Sequence, residues 1–133
     1  MTAAIESRLG TEFGTVLAEL VGTVPGAYAA VMSDREGYAI DFAHDASAVE
    51  ELEVQLAGAQ CGLVLLATAA SATRRRLGRC DVMLESSVGS VLGTVVDERE
   101  GLVLVLLLRA RGHLGLALRG LQGARTRLVV ALR

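Results

Sequence analysis

The side chains best suited to hold a transition metal here are two histidines, His44 and His113, and two cysteines, Cys61 and Cys80. Neither histidine has a cysteine or second histidine at ligand spacing, and two cysteines alone do not close a tetrahedral site. Both histidines are expected in loops. The cysteines read as reduced thiols, Cys61 in the core or an interface and Cys80 on a strand, with a disulfide across a dimer axis as the alternative for Cys61. Ser33, Ser47, Ser71, Ser86, Ser87 and Ser90 all lack the Gly-x-Ser-x-Gly setting of a nucleophile elbow. The glycines at 58, 62, 78, 89, 93 and 101 form no phosphate-cradling loop, because no Gly-rich turn opens a helix straight after a strand. All 13 basic residues are arginine, and the missing lysine removes Schiff-base chemistry and the P-loop lysine together. No catalytic residue, cofactor or metal is expected, so the chain reads as a non-enzyme.

Two charge clusters remain. Glu50, Glu51 and Glu53 precede a long apolar segment, and Arg74, Arg75 and Arg76, with Arg79, follow it. That order suits a helix dipole, with acids at the start and bases at the end. The acids are explained by capping and solvation. The arginines could instead supply an arginine finger to a GTPase or meet an acidic surface. Glu51, Glu53, Arg74, Arg75 and Arg76 are therefore the candidate partner contacts.

Length and composition narrow the class. A chain of 133 residues is expected to form a single domain spanning residues 1–133. A net charge of −2 argues against nucleic-acid binding. Arginine without lysine in a chain rich in Ala, Gly, Leu and Val is the habit of a GC-rich genome, so arginine abundance alone says little about ligands. Mean hydropathy of +0.47 is high for a small soluble monomer, which implies a membrane or a partner on some apolar surface. The longest apolar stretch, Leu56 to Ala70, is about 15 residues against the roughly 20 a spanning helix needs. The start lacks the basic and apolar regions of a signal peptide. A cytoplasmic protein without stable membrane insertion is expected, with a partner protein covering the surplus.

The elements that carry these residues follow from periodicity. Ile5, Leu9, Phe13, Val16, Leu17, Leu20 and Val21 step by three and four, predicting a first helix stopped at Val24-Pro25-Gly26. Ala27 to Met32 reads as a strand buried on both faces. The turn Ser33-Asp34-Arg35-Glu36-Gly37 leads into alternating Tyr38, Ile40 and Phe42, completing a hairpin. Ser47-Ala48-Val49-Glu50 fits a capping box, opening a helix of about 30 residues that stops near Gly78. Asp81 to Val88 and Val91 to Val96 are strands joined near Gly89-Ser90. Leu102 to Leu108 is apolar throughout, as in a central strand. Its preceding turn, Glu98-Arg99-Glu100-Gly101, echoes Asp34-Arg35-Glu36-Gly37. A last helix runs from about Leu114 to Leu132, with Leu114, Leu118, Leu121, Ala124, Leu128 and Leu132 on one side. This predicts an α+β fold of order αββαβββα. In it a five-stranded antiparallel sheet lies between the long central helix and the two terminal helices.

The long helix carries two apolar stripes. Leu52, Leu56, Ala59, Leu63, Leu66 and Ala70 form one, suited to covering the sheet. Val54, Gly58, Cys61, Leu65, Thr68 and Ala72 form the other, rich in small residues and able to let a second helix approach. The second stripe is expected to form a dimer interface.

In element order and turn sequence the chain resembles the roadblock family of dynein light chains, within the longin-like superfamily. The resemblance covers nearly the whole chain. It rests on Val24-Pro25-Gly26-Ala27, on Asp34-Arg35-Glu36-Gly37 followed by Tyr38-Ala39-Ile40-Asp41, on the long helix, and on Gly112-His113-Leu114-Gly115-Leu116-Ala117. It implies a homodimer in which the long helices pair antiparallel and two sheets join edge to edge, with Val82 and Leu84 at the join. The bacterial, MglB-like branch comprises non-catalytic partners of small Ras-like GTPases that set cell polarity, which implies a GTPase or another roadblock protein as partner. Some bacterial members carry tails beyond the last helix that act on the GTPase. This sequence ends at Arg133, on the predicted helix, which favours a scaffold over autonomous GTPase activation. The alternatives are a subunit of a motor or membrane-trafficking assembly, or a small-molecule sensor on a longin- or profilin-like fold.

Overall fold

The computed structural model describes residues 5–7 and 10–133. Its elements are β1 (Ile5–Ser7), α1 (Glu12–Thr23), β2 (Ala27–Ser33), β3 (Ala39–Asp45), α2 (Glu51–Arg74), β4 (Val82–Glu85), β5 (Gly89–Asp97), β6 (Leu102–Arg109) and α3 (Leu114–Ala131). The sheet is antiparallel throughout, in the order β1-β3-β2-β6-β5-β4.

The αββαβββα arrangement of five strands and three helices is present as the sequence predicts. A sixth strand, β1, adds to the β3 edge and pairs Ile5 with Asp45 and Ser7 with Ala43. Ile5 is thus a strand residue, not part of the first helix as its spacing suggested; Leu9 lies outside the described residues. Gly10, at φ 71°, turns the chain into a left-handed conformation, and α1 starts only after Thr11. The Thr11 hydroxyl accepts the Gly14 N–H (3.3 Å), capping the helix. Its own N–H and Oγ donate to Asp41 Oδ2 at 3.0 and 2.7 Å, so a buried carboxylate on β3 fixes where α1 begins.

Turn chemistry follows the sequence closely. Val24-Pro25-Gly26-Ala27 closes with an Ala27 N–H to Val24 carbonyl bond of 3.1 Å and Gly26 at φ 87°, the positive φ that a type II turn demands. Gly37, at φ 88°, closes the β2–β3 turn by donating to the Asp34 carbonyl at 3.0 Å. The β5–β6 turn packs against it. The Arg35 guanidinium donates to the Glu98 and Arg99 carbonyls at 3.2 and 2.9 Å, so the two similar turns touch one another.

Both central strands are buried on both faces, as their unbroken apolar runs predict. Ala30 and Met32 of β2, with Leu104, Leu106 and Leu108 of β6, pack under α1 and α3 around Leu17, Leu20, Leu121 and Leu128. Ala29 and Val31, with Val105 and Leu107, face the other way toward α2 together with Phe42 and Val54. A smaller cluster of Leu65, Ala69, Val95 and Val103 continues beneath the second half of α2.

The long helix is shorter than its pattern suggests. Ser47 is not its cap: Ser47 Oγ donates to Asp45 Oδ1 at 2.6 Å in a turn after β3, and α2 begins at Glu51 with Glu50 as N-cap. Its 24 residues span about 36 Å. Among the described residues α2 alone is long and apolar enough to cross a bilayer, which the 15-residue stretch at its centre did not indicate. Here it is the cover of one sheet face.

Its two stripes are used the opposite way round from the sequence expectation. Val54, Gly58, Gly62, Leu65, Ala69 and Ala72 lie buried against the sheet, while Leu52, Leu56 and Leu63 face outward. The reason is size. A Cβ on Gly58 would lie 2.7 Å from both Ser33 Oγ and Val31 Cγ1, and one on Gly62 would lie 3.0 Å from Val103 Cγ2. Small residues let the helix settle onto a sheet face already filled by branched side chains, and the leucines are left outside.

Gly58→Val should therefore overpack this contact and lower stability by about 2 kcal/mol in urea unfolding. Gly22→Ala, on α1 with open space at its Cβ position, should raise it by roughly 0.5–1 kcal/mol.

Candidate interaction surface

The residues expected to bind a partner lie along α2 and β4. β4 is the last strand of the sheet, and its outer edge has no strand beside it among the described residues. Its start is tied down by Asp81. Thr94 Oγ on β5 donates to Asp81 Oδ1 at 2.7 Å, and Gln122 Nε2 on α3 donates to Asp81 Oδ2. Pinned there, β4 carries Val82 and Leu84 into a narrow apolar groove shared with Cys61, Val64 and Leu65 of α2 and Val91 of β5. Leu84 is half exposed at its rim. Beyond the groove the outer face of α2 continues the apolar surface, with Leu52, Leu56, Leu63 and Val64 between 49% and 63% exposed.

The eight expected interface residues divide in two. Val54, Gly58, Leu65 and Ala72 are buried against the chain's own sheet, with Leu65 also lining the groove. Cys61, Val82 and Leu84 lie on the flank where α2 meets β4 and remain wholly or partly open, and Thr68 is exposed further along α2. Sequence reasoning assigned the outward leucines to the sheet and so missed them. The usable signal was residue size: the stripe holding Gly58 and Ala72 suits a crowded sheet, whichever stripe is more apolar.

Charge brackets this surface. Glu51 and Glu53 lie in the first turn of α2, while Arg74, Arg75 and Arg76 are exposed at its end. Below the helix start, Arg109 lies 5.6 Å over the Tyr28 ring and donates to Asp45 Oδ2 at 3.0 Å. Burial raises the Tyr28 pKa, opposed by Arg109 and reinforced by Glu53. Hydrogen bonds from the Ser47 hydroxyl and backbone N–H hold Asp45 below the ordinary carboxylate value, with Arg109 adding to them. Burial pushes the Cys61 thiol up, which disfavours the reactive thiolate.

His44 and Cys80 are placed differently from expectation, while His113 lies outside the helices and strands as expected. His44 is a buried β3 residue whose ring lies 5.8 Å from that of Phe42, not a loop residue. His113 caps α3, its Nδ1 accepting the Leu116 N–H at 3.1 Å. Cys80 sits in the loop before β4 rather than on a strand. Among the described residues no three His, Cys, Asp or Glu side chains gather as a metal site.

This arrangement, an antiparallel sheet covered by α2 on one face and by α1 and α3 on the other, is the fold of roadblock domains. The Roadblock/LC7 domain of Streptomyces avermitilis superposes with a TM-score of 0.73 at 16% identity, over 89% of this chain and 95% of that one. Myxococcus xanthus MglB gives 0.74 at 20% identity over 92% and 96% of the two chains, and MglC of the same organism 0.63 at 24% over 88% and 96%. At these identities the likeness is one of fold. By sequence the chain matches no family model and no curated protein.

Two outcomes follow. Asp81→Ala should accelerate amide exchange across Val82–Glu85 while leaving β2 and β6 protected, as read by hydrogen-exchange mass spectrometry. Because Asp45 has a lower pKa folded than unfolded, its stabilisation is present above about pH 4 and is lost as pH falls through the folded value. Asp45→Asn should flatten that acid limb in pH-dependent thermal unfolding.

Proposed function

We propose that this chain is a non-catalytic roadblock-type interaction module that forms a homodimer. As a dimer it binds or regulates a small Ras-like GTPase, or docks on another roadblock dimer, in the bacterial cytoplasm and in the service of cell polarity or motility. The observation that carries the reading is the outward leucine stripe of α2, continuous with the open β4 edge across the Cys61–Leu84 groove. Contiguous exposed apolar surface of this kind is rare on a monomer and calls for a partner.

A second copy of the chain suits that surface in shape and charge. Paired antiparallel about a two-fold axis, one α2 sets Glu51 and Glu53 near Arg74, Arg75 and Arg76 of the other, whereas parallel pairing sets like charges together. The same axis lets two β4 edges meet, with Leu84 closing the groove from both sides. A stable dimer needs roughly 800 Å² from each partner, an area within reach of a helix about 36 Å long and a strand edge. The solved "MglB with tetrameric arrangement", 19% identical with a TM-score of 0.67, supports assembly of roadblock folds with one another. The paired helices then form a platform whose rim charges select a GTPase or adaptor by complementarity rather than by chemistry.

Light scattering of the purified chain should give a dimer mass. Leu56→Glu with Leu63→Glu should give a monomer whose circular dichroism is unchanged, since both side chains point away from the core. A wild-type monomer at micromolar concentration, or an intact dimer in the double variant, would sink the interface. For the partner, affinity capture from native cytoplasm should recover a small GTPase or a second roadblock protein, and recovery of neither counts against the proposed role.

A further inference from the structure

Beyond the end of α2, beside the end of β5 and reaching Arg125 of α3, a cavity of about 480 Å³ opens to solvent. We infer that it is a binding site for the phosphate group of a small soluble molecule. Its volume lies within the range of about 300–1,000 Å³ typical of ligand sites. It shares no residue with the α2–β4 groove, though its Arg76 also stands among the charges that the proposed dimer sets near Glu51 and Glu53, so the two readings meet at that residue.

Three arginines from two segments line it: Arg76 and Arg79 in the connection between α2 and β4, and Arg125 on α3. Arg125 is held by its Nε, which donates to the Val95 carbonyl at 2.8 Å, so the planar head is oriented before any ligand arrives. Neither Arg76 nor Arg79 pairs with a carboxylate among the described residues. Glu98 is the single acid in the lining, so three positive charges face one negative in a chain whose net charge is −2. Guanidinium forks match the oxygens of a phosphate, and converging cations favour a dianion over a monocarboxylate.

The backbone at Arg76 is the second observation. Arg76 sits at φ 56°, the left-handed position after a helix end where glycine is the usual occupant. The Arg76 N–H bonds the Thr73 carbonyl and the Leu77 N–H bonds the Ala72 carbonyl, both of which any residue can do through its backbone. The helix end does not need an arginine there, and the conformation disfavours one. A strained residue retained at a cavity rim points to a use for its side chain. The Thr73 hydroxyl in the lining donates to the Ala69 carbonyl at 3.1 Å, so we read the site as binding rather than catalytic.

Titration calorimetry of the full chain with pyrophosphate at low salt tests this, with inorganic phosphate as the smaller probe. One saturable site per chain is expected, with phosphate weaker than pyrophosphate. Arg125→Gln and Arg76→Gly should each weaken pyrophosphate about tenfold, the loss of one charged hydrogen-bonding group. Arg76→Gly should do so with a melting temperature unchanged or higher, which separates ligand loss from unfolding. Glu98→Gln should tighten binding. Absence of saturable pyrophosphate binding, or affinity unaltered in Arg76→Gly, overturns the inference. So does capture by vesicles carrying phosphoinositide headgroups with no binding of free pyrophosphate, since that assigns the arginines to a membrane surface.

Discussion

The close seating of α2 on the sheet governs much of the rest. Gly58 lies over Val31 and Ser33 with no room for a methyl group, and Gly62 meets Val103 almost as tightly. A helix that approaches this closely must present small residues downward, and its large apolar residues then point elsewhere. Leu52, Leu56 and Leu63 are outside because Gly58, Gly62, Ala69 and Ala72 are inside. Part of the chain's high mean hydropathy thereby lies on the outer face of α2.

Much of the fold was legible in the sequence, for physical reasons that differ by element. The apolar runs of β2 and β6 could only be strands covered on both faces, and they are the two at the sheet's centre. The turns at Gly26 and Gly37 were legible because a positive φ leaves few choices of residue. The two faces of α2 were not, since both stripes are apolar and hydrophobic periodicity has no term for size. Nor was the start of α1. Ile5 and Leu9 continue its spacing, but Gly10 breaks the chain there and the neighbouring β3 edge takes Ile5–Ser7 as a strand. Ser47 shows a motif overruled by a nearer partner, Asp45, whose carboxylate takes its hydroxyl first.

A few polar side chains set where elements begin and meet. Asp41, buried on β3, holds the Thr11 cap of α1; Asp81 ties the start of β4 to β5 and α3; Arg35 laces the β2–β3 turn to the β5–β6 turn. Each joins segments far apart in sequence, so spacing alone gave no sign of them. The turn similarity read in the sequence acquires a physical meaning here. Gly101 faces Arg35 so closely that a Cβ would lie 2.8 Å from the arginine's own, and the two turns fit because one ends in glycine. Where Asp81 fastens β4 the groove beside Cys61 stays open, so the apolar surface is a shaped one.

The edges of the sheet bear on how any association can end. An unpaired strand edge invites addition of another strand, and a chain with two such edges can grow without limit. Here β1 pairs with β3 along three residues among those described, a short ladder beside the longer inner strands. At the opposite side β4 presents four residues, flanked by the exposed leucines of α2, which favours association at that edge over the other. If two copies meet there about a two-fold axis, each consumes the surface the other needs, and assembly through that surface stops at two. The acidic start and basic end of α2 favour the antiparallel arrangement over a staggered, open-ended one, because a stagger separates opposite charges while leaving the leucines partly wet. In such a pair, apolar area would supply the attraction, and the direction of the helix, marked by its charged ends, would make the assembly finite.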